Sequence, residues 1–194
     1  MALDAAYPHL PTLTTARLRL RAIVPGDAAA LFAIRSDEEV MRYYGHPAHR
    51  SRAETEALIA QIAARYTRRE ALRWGITLTG GDDRLIGSCS LHHIDEGARR
   101  SETGYELHRA WWGQGIMAEA MTATLNFAFT DLCLHRVEAV IDDANTRSKR
   151  LLLSLGFTFE GVLRERYHLG NDFEDEYYFG LLDREWRGRL QAIS

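Results

Sequence analysis

The chain has 194 residues, 46% of them hydrophobic, enough for one domain with a sizeable core and too little for two of ordinary size. A formal charge of −3 supplies no global field for nucleic acid or an anionic membrane, so no DNA and no membrane partner is expected. No run reaches the ~18 apolar residues of a membrane span, and Met1 to Pro11 lacks the basic start and apolar stretch of a secretory signal, so a cytoplasmic protein is expected.

In chain order, residues 1–12 are set aside as an N-terminal extension to a single domain over residues 13–190. Leu18, Leu20 and Ala22 alternate with arginines between Arg17 and Ile23, the period of a strand with one wet face. Pro25-Gly26-Asp27 ends that strand, and Asp27 is placed to cap a short helix through Arg35. Ser51 and Glu54 form a capping box ahead of Leu58, Ile59, Ile62 and Tyr66, which repeat at helical spacing. Trp74, Ile76 and Leu78 alternate, Gly80-Gly81-Asp82-Asp83 turns, and Leu85 to Leu91 runs back, predicting a hairpin. Ser101 to Leu107 reads as a third strand of this group.

Met117, Met121, Leu125, Ala128 and Leu132 then mark a helix, and Arg136 to Asp142 a compact apolar strand, which together make a βαβ unit. Asn145 or Thr146 caps the next helix, which carries Leu151, Leu152 and Leu155 and ends at Gly156. Phe157 to Tyr167 and Glu176 to Leu182 read as two strands joined through Gly170-Asn171-Asp172. The two cysteines, Cys89 and Cys133, form no CxxC pair and read as buried thiols of a reducing compartment. The succession of elements implies an α/β fold with one mixed sheet and helices on both faces.

The helix after Gly115 has an unusual start. Its first four amides have no intrahelical acceptor and carry partial positive charge, yet no Ser, Thr, Asp or Asn lies between Ala110 and Met117 to cap them. Gly113 and Gly115 allow the backbone to fold around a ligand, so a phosphate or pyrophosphate is the expected partner. Gly113-x-Gly115-x-x-Ala118 also fits a dinucleotide fingerprint, with Asp142 or Asp143 as the ribose acid. Against an NAD-dependent dehydrogenase stand the strand meander before the turn, the short chain after it, and an acidic residue that comes late.

Glu102-x-Gly104-Tyr105, the run from Trp111 to Ala120, Asn145-x-x-Ser148, and Leu155-Gly156-Phe157-x-x-Glu160-Gly161 together resemble the GNAT acetyltransferase superfamily, most closely its RimJ/RimL type. The resemblance spans about Leu13 to Trp186. It implies a mostly antiparallel sheet of about seven strands, splayed after the strand ending at Leu107, with pantetheine inserted in the gap. It implies acetyl-CoA as co-substrate, with the backbone around Trp112, Gly113, Gln114, Gly115, Ile116, Met117 and Ala118 holding the pyrophosphate. Ala110 stands where the family carries Gln or Arg. Asn145 would bond the pantetheine arm or serve only as a helix cap, and Arg147, Lys149 and Arg150 would meet the 3′-phosphate or be neutralised by nearby acids.

Acetyl transfer to an amine requires a base, an oxyanion donor and an acid. Glu102 and Glu106 share one strand face by the period of two; Glu102 matches the family element and Glu106 is second choice, with pairing to Arg99, Arg100 or Arg136 as the structural alternative for Glu102. By the resemblance, an amide near Leu107 or His108 would meet the oxyanion. Many relatives carry an acidic tyrosine where this chain has Leu152, and Ser148 is the replacement that RimL-like enzymes imply. Tyr43, Tyr44 and Tyr167 are candidates for the amine pocket. His92, His93, His108 and Cys89 show no metal-ligand spacing or convergent acid, so no metal is expected.

The resulting expectation is direct acetylation of a primary amine, foremost a protein N-terminal α-amine. A polyamine or aminoglycoside acceptor and a non-catalytic acyl-CoA sensor are the alternatives, and a homodimer stays open.

Overall fold

The structure, a computed structural model, describes residues 4, 6–169 and 172–193. The leucine and arginine alternation becomes β2 (Leu18–Ala22), whose Leu18 and Leu20 are fully buried while its arginines face solvent or acids. A two-residue β1 (Leu13–Thr14) pairs with it, raising the sheet to eight strands where about seven are expected. A strand this short carries no readable period.

Pro25-Gly26-Asp27 forms a 3-10 turn leading into α1 (Ala28–Arg35). Asp27 does not cap α1 through its side chain; its carboxylate instead takes both Nη atoms of Arg21 at 2.8 Å and the Val24 amide at 2.8 Å. A charged bidentate partner outcompetes a helix amide. The unpredicted α2 (Glu38–Met41) is capped by Asp37, and α3 (Arg52–Thr67) follows the Ser51–Glu54 pair.

β3 (Ala71–Leu78), β4 (Gly87–Asp95) and β5 (Arg100–Leu107) make the antiparallel meander, and α4 (Ile116–Thr130) crosses to β6 (Arg136–Ile141). After α5 (Thr146–Ser154) come β7 (Thr158–Leu169) and β8 (Asp172–Leu182); residues 170 and 171 of the expected turn lie outside the described residues. A last helix, α6 (Asp183–Ile193), buries Trp186 and ties its indole to Asn126 at 2.9 Å.

The strand order is β1-β2-β3-β4-β5-β6-β8-β7, antiparallel except for β5 against β6. That single parallel contact joins only Arg100–Glu102 to Arg136–Glu138. Beyond Glu102 the two strands part, so residues 103–107 have no sheet partner on the β6 side. One parallel pairing is also incompatible with the doubly wound parallel sheet of a dinucleotide-binding fold.

Two cores flank the sheet. Leu72, Trp74 and Ile76 of β3 point into the larger, against Ala120, Met121 and Leu125 of α4. A Cβ at Gly75, between them in sequence, would meet Leu85 and Ile23 of the smaller, which also holds Leu31 and Ile34 of α1 and Ile59 of α3. Helices therefore cover both faces. Residues 6–11 are anchored to the domain: Ala6 is fully buried, the Trp74 indole donates to the Pro11 carbonyl at 2.8 Å, and Tyr7 stacks on Tyr66. Among the described residues no helix is long and apolar enough to cross a membrane.

Candidate active site

The turn before α4 is the uncapped terminus expected from the sequence. Gly115 is the N-cap, with φ +73 and no side-chain cap, and Gly113 has φ +72. Left-handed backbone at both is the reason for glycine, since a Cβ at Gly113 would meet no protein atom within 4 Å. The amides opening α4 thus face a cleft with their hydrogens free for an anion. Arg17 buttresses the turn from behind: it donates to the Gln114 carbonyl at 3.1 Å and grips Glu119 of the first helical turn at 2.6 Å. Burial works against ionisation of Glu119, but hydrogen bonds from Thr15 and from the Arg17 backbone and side chain outweigh it and lower its pKa.

The cleft, about 610 Å³, runs from this turn along Tyr105–Leu107 to the start of α5. Asn145 caps α5, accepting the Ser148 amide at 3.1 Å, so the capping alternative accounts for its Oδ1. Arg147 and Arg150 line the cleft. Arg147 stacks over Trp112 at 4.3 Å and reaches Glu39 at 3.5 Å, while Arg150 has no acidic partner among the described residues. Lys149 follows the second alternative, pairing with a nearby acid: it turns to Asp143 at 3.2 Å and lies over Tyr177, because the helical rotation that aims 147 and 150 inward carries 149 around the side.

The open edge of β5 supplies backbone groups. His108 donates its amide to the Ile86 carbonyl at 2.8 Å, which makes it part of the β4 ladder and removes it as an oxyanion donor. By antiparallel alternation the Tyr105 and Leu107 amides aim away from β4, into the gap. The Trp112 indole takes the Leu107 carbonyl at 2.9 Å, leaving the Leu107 amide as the free group. The His108 ring accepts the Ala110 amide and Gln114 donates to the Ala110 carbonyl, so both shape the loop without lining the cleft.

Across the gap, Tyr105 Oη and Ser148 Oγ are 2.6 Å apart. Burial pushes the Tyr105 phenol up to about 12, although the Ser148 hydrogen bond pulls the other way, so it stays protonated at neutral pH. Tyr105 is the residue that sequence reasoning missed as a functional group; it was visible only as part of the Glu102-x-Gly104-Tyr105 element, with nothing to indicate that it reaches α5.

A second cavity, about 450 Å³, lies over β3, β4 and β5 beneath α1 and α3. The two cavities share Val40, Tyr43, Tyr105, Asn145 and Ser148. Tyr43 and Tyr44 line the second cavity, with Tyr44 bonded to Arg73 at 2.9 Å and its face covered by Arg35. Tyr167 lines neither and points its hydroxyl at Asp142.

The two candidate bases separate sharply. The Glu106 side chain is wholly buried, 2.5 Å from Arg35 Nε in a close ion contact that lacks hydrogen-bond alignment; Ser88 donates to it at 2.8 Å and Arg73 lies 3.8 Å away. It is the counter-ion of two arginines and is not available as a base. Glu102 lines the second cavity and pairs with no arginine among the described residues. Arg100 turns to Glu138 and Asp95, and Arg136 to Glu138 and Glu160.

Glu102 instead meets His93 Nδ1 at 3.0 Å and His92 Nε2 at 3.7 Å. This overturns the expectation that no acid converges on the histidines. Neighbours on a regular strand point to opposite faces, but His93 has φ +49 within an irregular stretch of the β4–β5 ladder, and both rings end up on the Glu102 side. Burial lowers His92 to about 4, which keeps it neutral at pH 7. The thiol of Cys89 is buried and pushed up to about 11, whereas Cys133, expected to be buried, is exposed.

The acetyltransferase (GNAT) domain family matches residues 17–158. An uncharacterized N-acetyltransferase of Bacillus subtilis (strain 168), YoaA, is 38% identical over 176 residues, covering 90% of this chain and 99% of its own. The ribosomal protein uS5-alanine N-acetyltransferase of Escherichia coli (strain K12) is 27% identical over 106 residues, 54% of this chain and 55% of its own. Among solved structures, Mycobacterium smegmatis RimJ in complex with CoA-disulfide shares the fold with a TM-score of 0.84 at 23% identity, covering 97% and 96% of the two chains. The family match runs through the glycine turn, the gap in the sheet and the Asn145–Ser148 element alike, and the chain therefore belongs to the GNAT family of acetyl-CoA-dependent N-acetyltransferases.

Proposed function

We propose that the protein transfers acetyl directly from acetyl-CoA to a protein or peptide N-terminal α-amine, within one ternary complex. The observation that carries direct transfer is the meeting of the two cavities at Tyr105, Asn145 and Ser148. A thioester in the first and an amine in the second would face each other there, with no covalent carrier between them.

In this reading the amides from Gly113 to Ala118 hold the pyrophosphate, Arg147 and Arg150 face the 3′-phosphate, and the edge of β5 pairs with pantetheine. The Leu107 amide donates to the carbonyl oxygen as it becomes an oxyanion. Glu102 accepts the amine proton through a water, and Ser148 protonates the departing sulfur while Tyr105 donates to Ser148. The Lys149 and His108 side chains have no role in it.

Two considerations favour an α-amine. Its pKa of about 8, against about 10.4 for lysine, leaves an appreciable neutral fraction at pH 7. The second cavity is lined by Arg35, Arg65 and Arg73 against one carboxylate, Glu102, with the buried Glu106 offsetting Arg35 from outside the lining, a balance that opposes polycations such as polyamines and aminoglycosides. The uS5-alanine acetyltransferase among the relatives acts on a protein, in the same direction.

Free-thiol release from acetyl-CoA across a panel tests this: a peptide with a free N-terminus, the same peptide blocked at its N-terminus with a lysine left free, spermidine and an aminoglycoside. Release with the free N-terminus alone is expected. Release with spermidine or the aminoglycoside alone overturns the acceptor assignment, and tight acetyl-CoA binding with no release on any acceptor marks a sensor.

A further inference from the structure

We propose that His92, His93 and Glu102 form a binding site for a divalent transition-metal ion, of which Zn²⁺ is the natural probe, on the wall of the acceptor cavity. The donor atoms of the three side chains all lie within 4.8 Å of one another, with His93 Nδ1 3.0 Å and His92 Nε2 3.7 Å from separate oxygens of Glu102. Ligands bound at roughly 2.0–2.1 Å around a tetrahedral ion stand about 3.3 Å apart, so the cluster closes on an ion with side-chain shifts of about 1 Å.

Three further features belong to a ligand site more than to a chance pair. The backbone at His93 is left-handed, an uncommon state for a residue other than glycine, and it is what turns two adjacent strand residues toward one carboxylate. Ser90 Oγ stands 3.4 Å from His92 Nδ1, an outer-shell contact that leaves Nε2 as the ligating nitrogen. Glu102 has no arginine or lysine partner among the described residues, although Arg100 lies two residues before it on β5 and Arg136 on the adjoining β6; both are taken up by other acids.

The donor set of two imidazoles and one carboxylate suits Zn²⁺, Ni²⁺ or Cu²⁺ over Mg²⁺ or Ca²⁺. Three protein ligands leave a fourth position for water or for the acceptor. The His93 side chain is 64% exposed and that of Glu102 28%, so an ion reaches them without opening the core. Because Glu102 is the base in the reading above, an ion there would inhibit turnover competitively with the amine. That consequence rests on the proposed mechanism, whereas the site itself does not.

The test is direct binding to tag-free, full-length protein without acetyl-CoA or amine: calorimetry with Zn²⁺ and absorption with Co²⁺. One saturable equivalent with the ligand-field bands of low-coordinate Co²⁺ is expected. His93→Asn, which keeps a residue tolerant of left-handed backbone, and Glu102→Gln should each weaken binding at least about tenfold, with unchanged melting of the apo proteins. Cys133→Ser, removing the exposed thiol, should leave binding intact. No saturable binding, binding unchanged in both variants, or binding lost with Cys133→Ser overturns the proposal. If the variant pattern is as expected and a separate assay of the full reaction shows that Zn²⁺ filling the site leaves turnover unchanged at low and at saturating amine, the site stands and Glu102 is overturned as the base.

Discussion

Replacing Gly113 by aspartate and by asparagine isolates the charge seen by whatever the glycine turn holds. Gly113 has φ +72 and no protein atom lies within 4 Å of the position a Cβ would take, so either side chain fits and projects toward the cleft. Asparagine and aspartate both tolerate left-handed backbone, so the strain of about 1–2 kcal/mol is common to the pair and cancels between them. What remains is one carboxylate charge against the pyrophosphate. At about 5 Å and an effective dielectric near 20, one such charge pair is worth about 3 kcal/mol. Solvent in the open cleft lowers this to about 1–3 kcal/mol, or about fivefold to 150-fold in affinity.

Calorimetric titration of CoA into the two variants at low and high salt measures the difference. Asp should bind more weakly than Asn by that factor, the gap should narrow as salt rises, and the two apo proteins should melt together. Equal affinities would refute the placement of the pyrophosphate on this turn. A difference that is independent of salt would mean that something other than charge excludes the ligand.

Ser148→Ala should lower kcat about a hundredfold and leave the KM for acetyl-CoA nearly unchanged, with Tyr105→Phe shifting kcat the same way by less; steady-state kinetics with both substrates varied checks this, and an unchanged kcat removes Ser148 from the acid role. Glu106→Gln leaves the nearly buried Arg35 without its counter-ion and should cost about 3 kcal/mol in urea unfolding, the lower end for a broken buried pair because Ser88 retains a hydrogen-bond partner. Glu119 is held below the usual carboxylate range, so its contribution to stability is full above the unfolded value of about 4.3 and is lost as the pH falls through the lower folded value. Glu119→Gln should therefore flatten the acid limb of a melting-temperature profile; an unchanged limb would show that its ties to Thr15 and Arg17 add nothing to the fold.

Much of the scaffold was legible because it rests on local periods. Alternation located β2 and β3, the Gly80–Asp83 turn and the runs after it placed β4 and β5, a compact apolar run placed β6, helical spacing located α3, α4 and α5, and the Asn145 cap follows from one residue type at one position. The uncapped start of α4 was legible for the opposite reason: an expected cap is missing, and a missing cap is a local fact. Elements with few residues or few anchors were not: β1 has two residues, and α6 shows little beyond Trp186 as a buried apolar contact.

Sequence by itself determined the family, most of the order of elements and the uncapped glycine turn before α4, all of which depend on residues close together in the chain. Only the tertiary structure decided what each charged group does. Asp27 serves Arg21 and not a helix, Glu106 is buried between Arg35 and Arg73, Lys149 faces Asp143, and Tyr105 reaches Ser148 from another element. The meeting of His92, His93 and Glu102 needed both the β4–β5 register that sets His92 opposite Glu102 and one left-handed residue. Charge and hydrogen bonding are settled by partners distant in sequence and by side-chain direction, and neither leaves a period in the chain.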